Sequence, residues 1–87
     1  MVGTWSELIV EALFLSDLQP SERPSVGAAR AAVKRSLLRH GREGCAAAAA
    51  AEFFDHLDTA VPRMCWARGM AAEAFPTMCL SKAPVAA

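Results

Sequence analysis

Apolar positions recur at helical spacing along almost the whole chain, and the punctuation between them divides it into four predicted helices. In the first segment Trp5, Leu8, Ile9, Ala12, Leu13 and Leu15 fall on one broad arc, while Val10 and Phe14 lie on another side. Thr4 and Glu7 have the spacing of a capping box, so the spacing predicts a helix from Trp5 to Leu18 that is apolar around most of its circumference. Pro20 and Pro24 then enforce a loop, because a proline disfavours helix at the residue before it. Ser25 is placed to cap a second helix from Val26 to His40, with Val26, Ala29, Val33 and Leu37 as its core stripe. Gly41 stands where a left-handed residue commonly ends a helix.

The alanine run that begins after Cys45 has high helix propensity and no breaker, which predicts a third helix from Cys45 to His56. Ala46, Ala49, Phe53 and Leu57 would share its inner face. Asp58 or Thr59 is then expected to cap a fourth helix from Ala60 to Phe75, with Pro62 tolerated in the first turn. Its expected inner stripe is Val61, Met64, Cys65, Ala72 and Phe75, leaving Trp66 and Met70 on a different side. Pro76 stops the periodicity. The predicted fold class is therefore all-α: a single bundle of about four short helices over residues 1–76, followed by a mobile tail, 77–87, from which Met78 or Leu80 could dock.

Length and composition sharpen this picture. An 87-residue chain that is 54% hydrophobic has room for one core, and much of that apolar content is alanine, which buries little area per residue. A lean core favours association with a partner or with a second copy. Some of Val10, Phe14, Trp66 and Met70 are expected to stay exposed, and these residues, with Leu38, are expected to form a protein interface, because so short a chain has too little surface to bury them all.

Net charge is zero but unevenly spread. Residues up to Glu22 contain Glu7, Glu11, Asp17 and Glu22 without a base, whereas Arg23, Arg30, Lys34, Arg35, Arg39 and Arg42 follow without an acid. The order of the last two helices, with Ala49 or Ala50 inside the earlier one and a brief turn between them, also matches a helix-turn-helix. In that alternative Thr59, Arg63 and Arg68 would face nucleic acid, and Arg30, Lys34, Arg35, Arg39 and Arg42 would contact phosphates. The turn lacks the customary glycine, and Asp55 and Asp58 would repel phosphate, so protein interaction or self-association is the favoured expectation.

Catalysis needs a positioned nucleophile, acid or base, and only Asp55, His56 and Asp58 form a compact titratable cluster, in a turn where capping and solvation explain them. The sequence thus predicts no enzyme, no catalytic residues, no cofactor and no small-molecule substrate. The odd, widely spaced Cys45, Cys65 and Cys79 fit neither a disulfide scaffold nor zinc ligation with His40 or His56, which points to a reducing cytoplasm and no metal. Cys65 is expected to be a buried, unreactive thiol on the apolar stripe. Acids interrupt the N-terminal apolar stretch, contrary to a signal peptide, and the longest apolar run, Cys45 to Ala51, falls far short of the roughly 20 residues that span a bilayer. No membrane partner is expected.

The stretches Trp5-Ser6-Glu7-Leu8, Leu15-Ser16-Asp17-Leu18-Gln19-Pro20, Gly44-Cys45-Ala46-Ala47, Glu52-Phe53, Asp55-His56, Thr59-Ala60-Val61, Arg63-Met64, Trp66-Ala67-Arg68 and Ala72-Glu73-Ala74-Phe75 together resemble small uncharacterised helical proteins of actinobacteria. The resemblance covers most of the chain up to Phe75. It implies a small cytoplasmic bacterial helical protein and supplies no activity, ligand or functional residue.

Overall fold

A computed structural model describes residues 5–76. The expected Thr4 cap and the tail beyond Pro76, with Met78 and Leu80, lie outside the described residues. The described chain is all-helical: α1 (Trp5–Phe14), a 3-10 turn (Pro20–Glu22), α2 (Val26–Asp55) and α3 (Leu57–Ala74). α1 is the central element, packed against both α2 and α3, which also pack against each other.

Helix α1 stops four residues before the expected Leu18. The Ser16 hydroxyl turns back and donates to the Leu13 carbonyl at 2.6 Å, and the Leu18 amide donates to Ser16 Oγ at 3.4 Å. This local side-chain bonding offers the backbone an alternative to another helical turn. Ser25 caps α2 as its position predicts, accepting from the Ala28 amide at 3.1 Å.

The second and third predicted helices run together as one element with a bend. Gly41, at φ 75° and ψ 173°, is non-helical, but Arg42, Glu43 and Gly44 resume helix at once instead of forming a connection. The conformation is also not the left-handed helical one expected of a terminating glycine; it belongs to a region open essentially to glycine alone. Between α2 and α3 the expected turn shrinks to His56, at φ −139° and ψ 57°. Neither Asp58 nor Thr59 takes the cap position. Thr59 sits inside the first turn of α3, where its amide and hydroxyl both donate to the His56 carbonyl. Because α3 starts early, Pro62 lies in its second turn, at an exposed position where it removes a regular helical hydrogen bond.

The core consists of large residues from α1 surrounded by alanines from the other two helices. Leu8, Ile9, Val10, Leu13 and Phe14 are buried, against Ala29, Ala32 and Val33 of α2 and Ala60, Ala67, Met70, Ala71 and Ala74 of α3. Alanine faces let helices approach closely, which explains why both sides of α1 find cover. The expectation of a free second side is corrected accordingly: Val10, Phe14 and Met70 are core residues. The inner face of α3 is likewise not the expected one. Alanines face inward, while Val61 and Cys65 are exposed, as is Leu57, so the buried-thiol expectation for Cys65 is overturned. Phe53 is half-buried and stacks on Phe14, with ring centroids 5.6 Å apart.

Adding a Cβ at Gly41 meets no atom within 4 Å, so any penalty there comes from the backbone alone. Gly41→Ala should lower stability by about 1–3 kcal/mol, measured by denaturant titration. An unchanged midpoint would mean that the bend does not require the glycine conformation.

Candidate docking surface

The expected interface residues separate in the structure. Val10, Phe14 and Met70 are buried together in the core; Trp66 is half-buried beside a groove of about 430 Å³ that Pro20 and Pro24 also line; only Leu38 stands free, 78% exposed on the basic part of α2.

The expected nucleic-acid residues are also dispersed among structural tasks. Arg63 donates from Nε to the Phe14 carbonyl at 2.7 Å and from one terminal nitrogen to the Ser16 carbonyl at 2.8 Å, with Leu13 at 3.5 Å. It thereby closes the C-terminal end of α1, where unpaired carbonyls and the helix dipole favour a cation. Its guanidinium also lies 4.9 Å from the Trp66 ring centroid. Burial shifts Arg63 below the usual guanidinium range, though an arginine keeps its charge in neutral water. Arg30 performs a similar task for α3, donating to the Ala74 carbonyl at 2.9 Å and lying over Phe75. Arg35 pairs with Asp17 at 3.2 Å, and Arg42 lies over the exposed Trp5 ring. Thr59 spends its hydroxyl on the His56 carbonyl. Lys34, Arg39 and Arg68 remain as exposed bases without an internal partner among the described residues.

What the sequence reading missed is an apolar surface at the α2–α3 elbow. Phe54 is 88% exposed, Leu57 60% and Val61 47%. The signal was present in the spacing. Phe53 and Phe54 are adjacent on a helix and point about 100° apart, so one of them had to face outward once Phe53 stacked on Phe14. Leu57, Val61 and Met64 lie on one face of α3 at i, i+4 and i+7. Phe54 joins this surface to an open groove of about 490 Å³, lined by Ala46, Ala49, Ala50 and Phe53 of α2, Met64 of α3 and Glu11 of α1.

Glu11 is the polar group of that groove. Burial first, and then the neighbouring Glu7, push its carboxyl above the usual value of 4.5. Among the described residues no base pairs with it. Below it, Cys45 is fully buried; burial and then Glu11 raise its thiol above the usual range, which keeps it protonated and unreactive.

Asp55, His56 and Asp58 are all exposed at the elbow, and among the described residues no three His, Cys, Asp or Glu side chains converge as metal ligands. No described helix is long and apolar enough to cross a membrane. No family model, curated protein or solved structure matches the chain.

Two outcomes follow from these contacts. Arg63→Met should cost about 1.5–3 kcal/mol, the scale of hydrogen bonds made by a charged group, and Arg63→Lys should recover only part because an ammonium lacks the planar fork; chemical denaturation of the three proteins checks this. For Glu11, the folded chain binds a proton more readily than the unfolded one, so ionisation opposes folding. Stability from this group is lost as pH rises from the unfolded value through the higher folded value, and stays lost at neutral pH. Glu11→Gln should therefore raise the melting temperature near neutral pH and flatten the decline that sets in as pH rises above the usual carboxyl value of 4.5, as read by thermal melts from acidic to neutral pH.

Proposed function

We propose that this chain is a non-catalytic interaction module that binds another protein, or a second copy of itself, through the elbow formed by Phe54, Leu57 and Val61. The observation that carries this reading is the exposure of Phe54. An aromatic ring set almost wholly in water contributes nothing to its own fold, and aromatic residues are enriched where proteins meet. Leu57 and Val61 extend it into a patch, and the adjoining groove adds a concave apolar wall.

The rival reading, a nucleic-acid regulator, has weaker support. The N-terminal part of α3, which a helix-turn-helix would offer to the major groove, consists of Leu57, Asp58, Thr59, Ala60, Val61 and Pro62. It has no base, and Asp58 would oppose phosphate. Of the eight candidate nucleic-acid residues, Arg30, Arg35, Arg42, Arg63 and Thr59 already have internal partners. Lys34, Arg39 and Arg68 are what favours that reading. We take the cytoplasm as the compartment; the free thiols of Cys45 and Cys65 suit it.

Because Phe54 is exposed, Phe54→Ser should change stability by no more than about 0.5 kcal/mol, which makes it a clean probe. Immobilised wild-type protein, Phe54→Ser, and the double variant Arg35→Ala, Arg39→Ala should be compared for retention from a cell extract, with light scattering of the free protein alongside. Binding or self-association lost in Phe54→Ser and kept in the double arginine variant is the expected outcome. Retained material that is nucleic acid, that is released steeply by salt and that is lost in the arginine variant would replace this reading with its rival.

A further inference from the structure

We propose that the groove beside Phe54 receives a basic amphipathic helix of another protein, whose lysine or arginine pairs with Glu11 while its apolar side chains pack against Ala50, Phe54 and Met64. The proposal rests on the docking reading above and names the chemistry of the partner.

The shape of the groove is the first support. One wall is the alanine face of α2 and the other includes Met64 of α3, with Phe53 and Phe54 at the elbow end. Alanines present a low wall that another helix backbone approaches closely, and methionine is a side chain that adapts to irregular apolar partners. Amphipathic helices commonly bind in such grooves through anchors at i, i+3, i+4 and i+7.

Charge supplies the second support. Glu11 lies in the lining, half-buried, with Glu7 as its electrostatic neighbour and no base paired to it among the described residues. A carboxylate held in an apolar groove without a counter-ion destabilises the free protein, and a cation arriving from a partner offsets that penalty. Further acids lie nearby. Glu43 lies on the α2 face of Ala47, Ala50 and Phe54, at i, i+4, i+7 and i+11, and the exposed Asp55 and Asp58 flank the elbow. Arg68 is the exposed base on the Leu57–Val61–Met64 face of α3, and it lies at the opposite end of that stripe from Leu57.

The same charges argue against a second copy. Isologous pairing of two elbows would bring Asp55 and Asp58 towards their own duplicates. The basic half of a second α2 offers only Leu38 and, twelve residues earlier, Val26 as large exposed apolar residues among those described, too little to fill the groove, and that head-to-tail contact would be heterologous, giving a ring or an open chain in place of an isologous dimer.

The test uses the intact protein, isotope-labelled for amide NMR, and a synthetic amphipathic helical peptide of leucine and lysine as probe. The matched control peptide has every lysine replaced by glutamine. The expected result is amide shifts centred on Ala46, Ala50 and Met64, with binding weakened on the order of tenfold either by the glutamine peptide or by Glu11→Gln. Arg68→Ala should not weaken it. Equal affinity for the two peptides at this groove would leave the docking surface standing and overturn the basic partner. No shifts in the groove with either peptide would overturn the docking reading and this proposal together. A concentration-dependent dimer that Phe54→Ser dissolves would assign the surface to a second copy instead.

Discussion

The arrangement depends on how α1 ends. α1 is a short helix enclosed by two longer ones, so its terminal carbonyls have restricted access to water and need donors from elsewhere in the fold. Arg63 supplies them: one guanidinium on α3 reaches the carbonyls of Leu13, Phe14 and Ser16, and the Ser16 hydroxyl takes Leu13 as well. This contact fixes where α1 stops and which way α3 is rotated about its own axis. With Arg63 turned inward, helical spacing brings Ala60, Ala67, Met70, Ala71 and Ala74 inward with it, and sends Leu57, Val61 and Cys65 outward. The exposed elbow is thus a consequence of the same rotation that satisfies the end of α1.

A second polar tie holds α2 in register with α1. Ser36 is buried and its hydroxyl donates to the Ala12 carbonyl at 2.8 Å, while the Cys45 thiol lies 3.8 Å from the Ser36 carbonyl. These are small side chains, so the crossing stays close, and the fully buried Ala12, Ala29 and Cys45 show how little space separates the helices. Gly41 falls between Ser36 and Cys45. The bend it permits lets α2 keep both halves against the rest of the bundle, with Ala29, Ala32 and Val33 buried before it and Cys45 and Ala49 after it. Arg30 closes the end of α3 in the way that Arg63 closes the end of α1. Arg30, from the block of bases that makes the chain look electrostatically lopsided, and Arg63, outside it, are therefore both helix terminators acting across the fold.

The sequence made the element content legible at several places where the determinant was local, though the Ser16 hydroxyl that turns back at the end of α1 was not among them. Ser25 caps α2, Pro20 and Pro24 bracket the connection before it, and Gly41 marks the break in helical geometry. Legibility failed wherever a long-range contact decided. Nothing near Arg63 in the chain announces that it will bind carbonyls almost fifty residues away, so it read as a surface base. Nor does hydropathy select the inner face of α3, because the face with the larger residues looks more apolar than a face made of alanines. Central α1 had already supplied the bulky half of the interdigitation, and close packing favours small residues opposite large ones. The same limit conceals the candidate site: helical spacing assigns Leu57 and Val61 to the core and favours Phe53 over its neighbour Phe54.

Agreement between local pattern and fold is the rule in folded chains, and departures from it concentrate where function imposes its own demands. Along most of α1 and α2 the agreement holds. It breaks down over a short span around the elbow, where Phe54 is in water, the connection contracts to a single residue, Leu57 and Val61 are exposed, and Pro62 sits inside a helix that loses a hydrogen bond to accommodate it. Glu11, across the groove, is a carboxylate placed where burial and Glu7 both work against its charge. Each departure taken singly has a bland explanation in surface tolerance. The contacts of Arg63 and Phe53 account for the outward turn of Leu57, Val61 and Phe54 but do not require large apolar side chains there, so their convergence on one groove and its rim is harder to attribute to tolerance. A partner with apolar side chains and a cation would satisfy Phe54, the α3 stripe and Glu11 at once, which is the physical ground for proposing the elbow, and not the basic helix, as the docking surface.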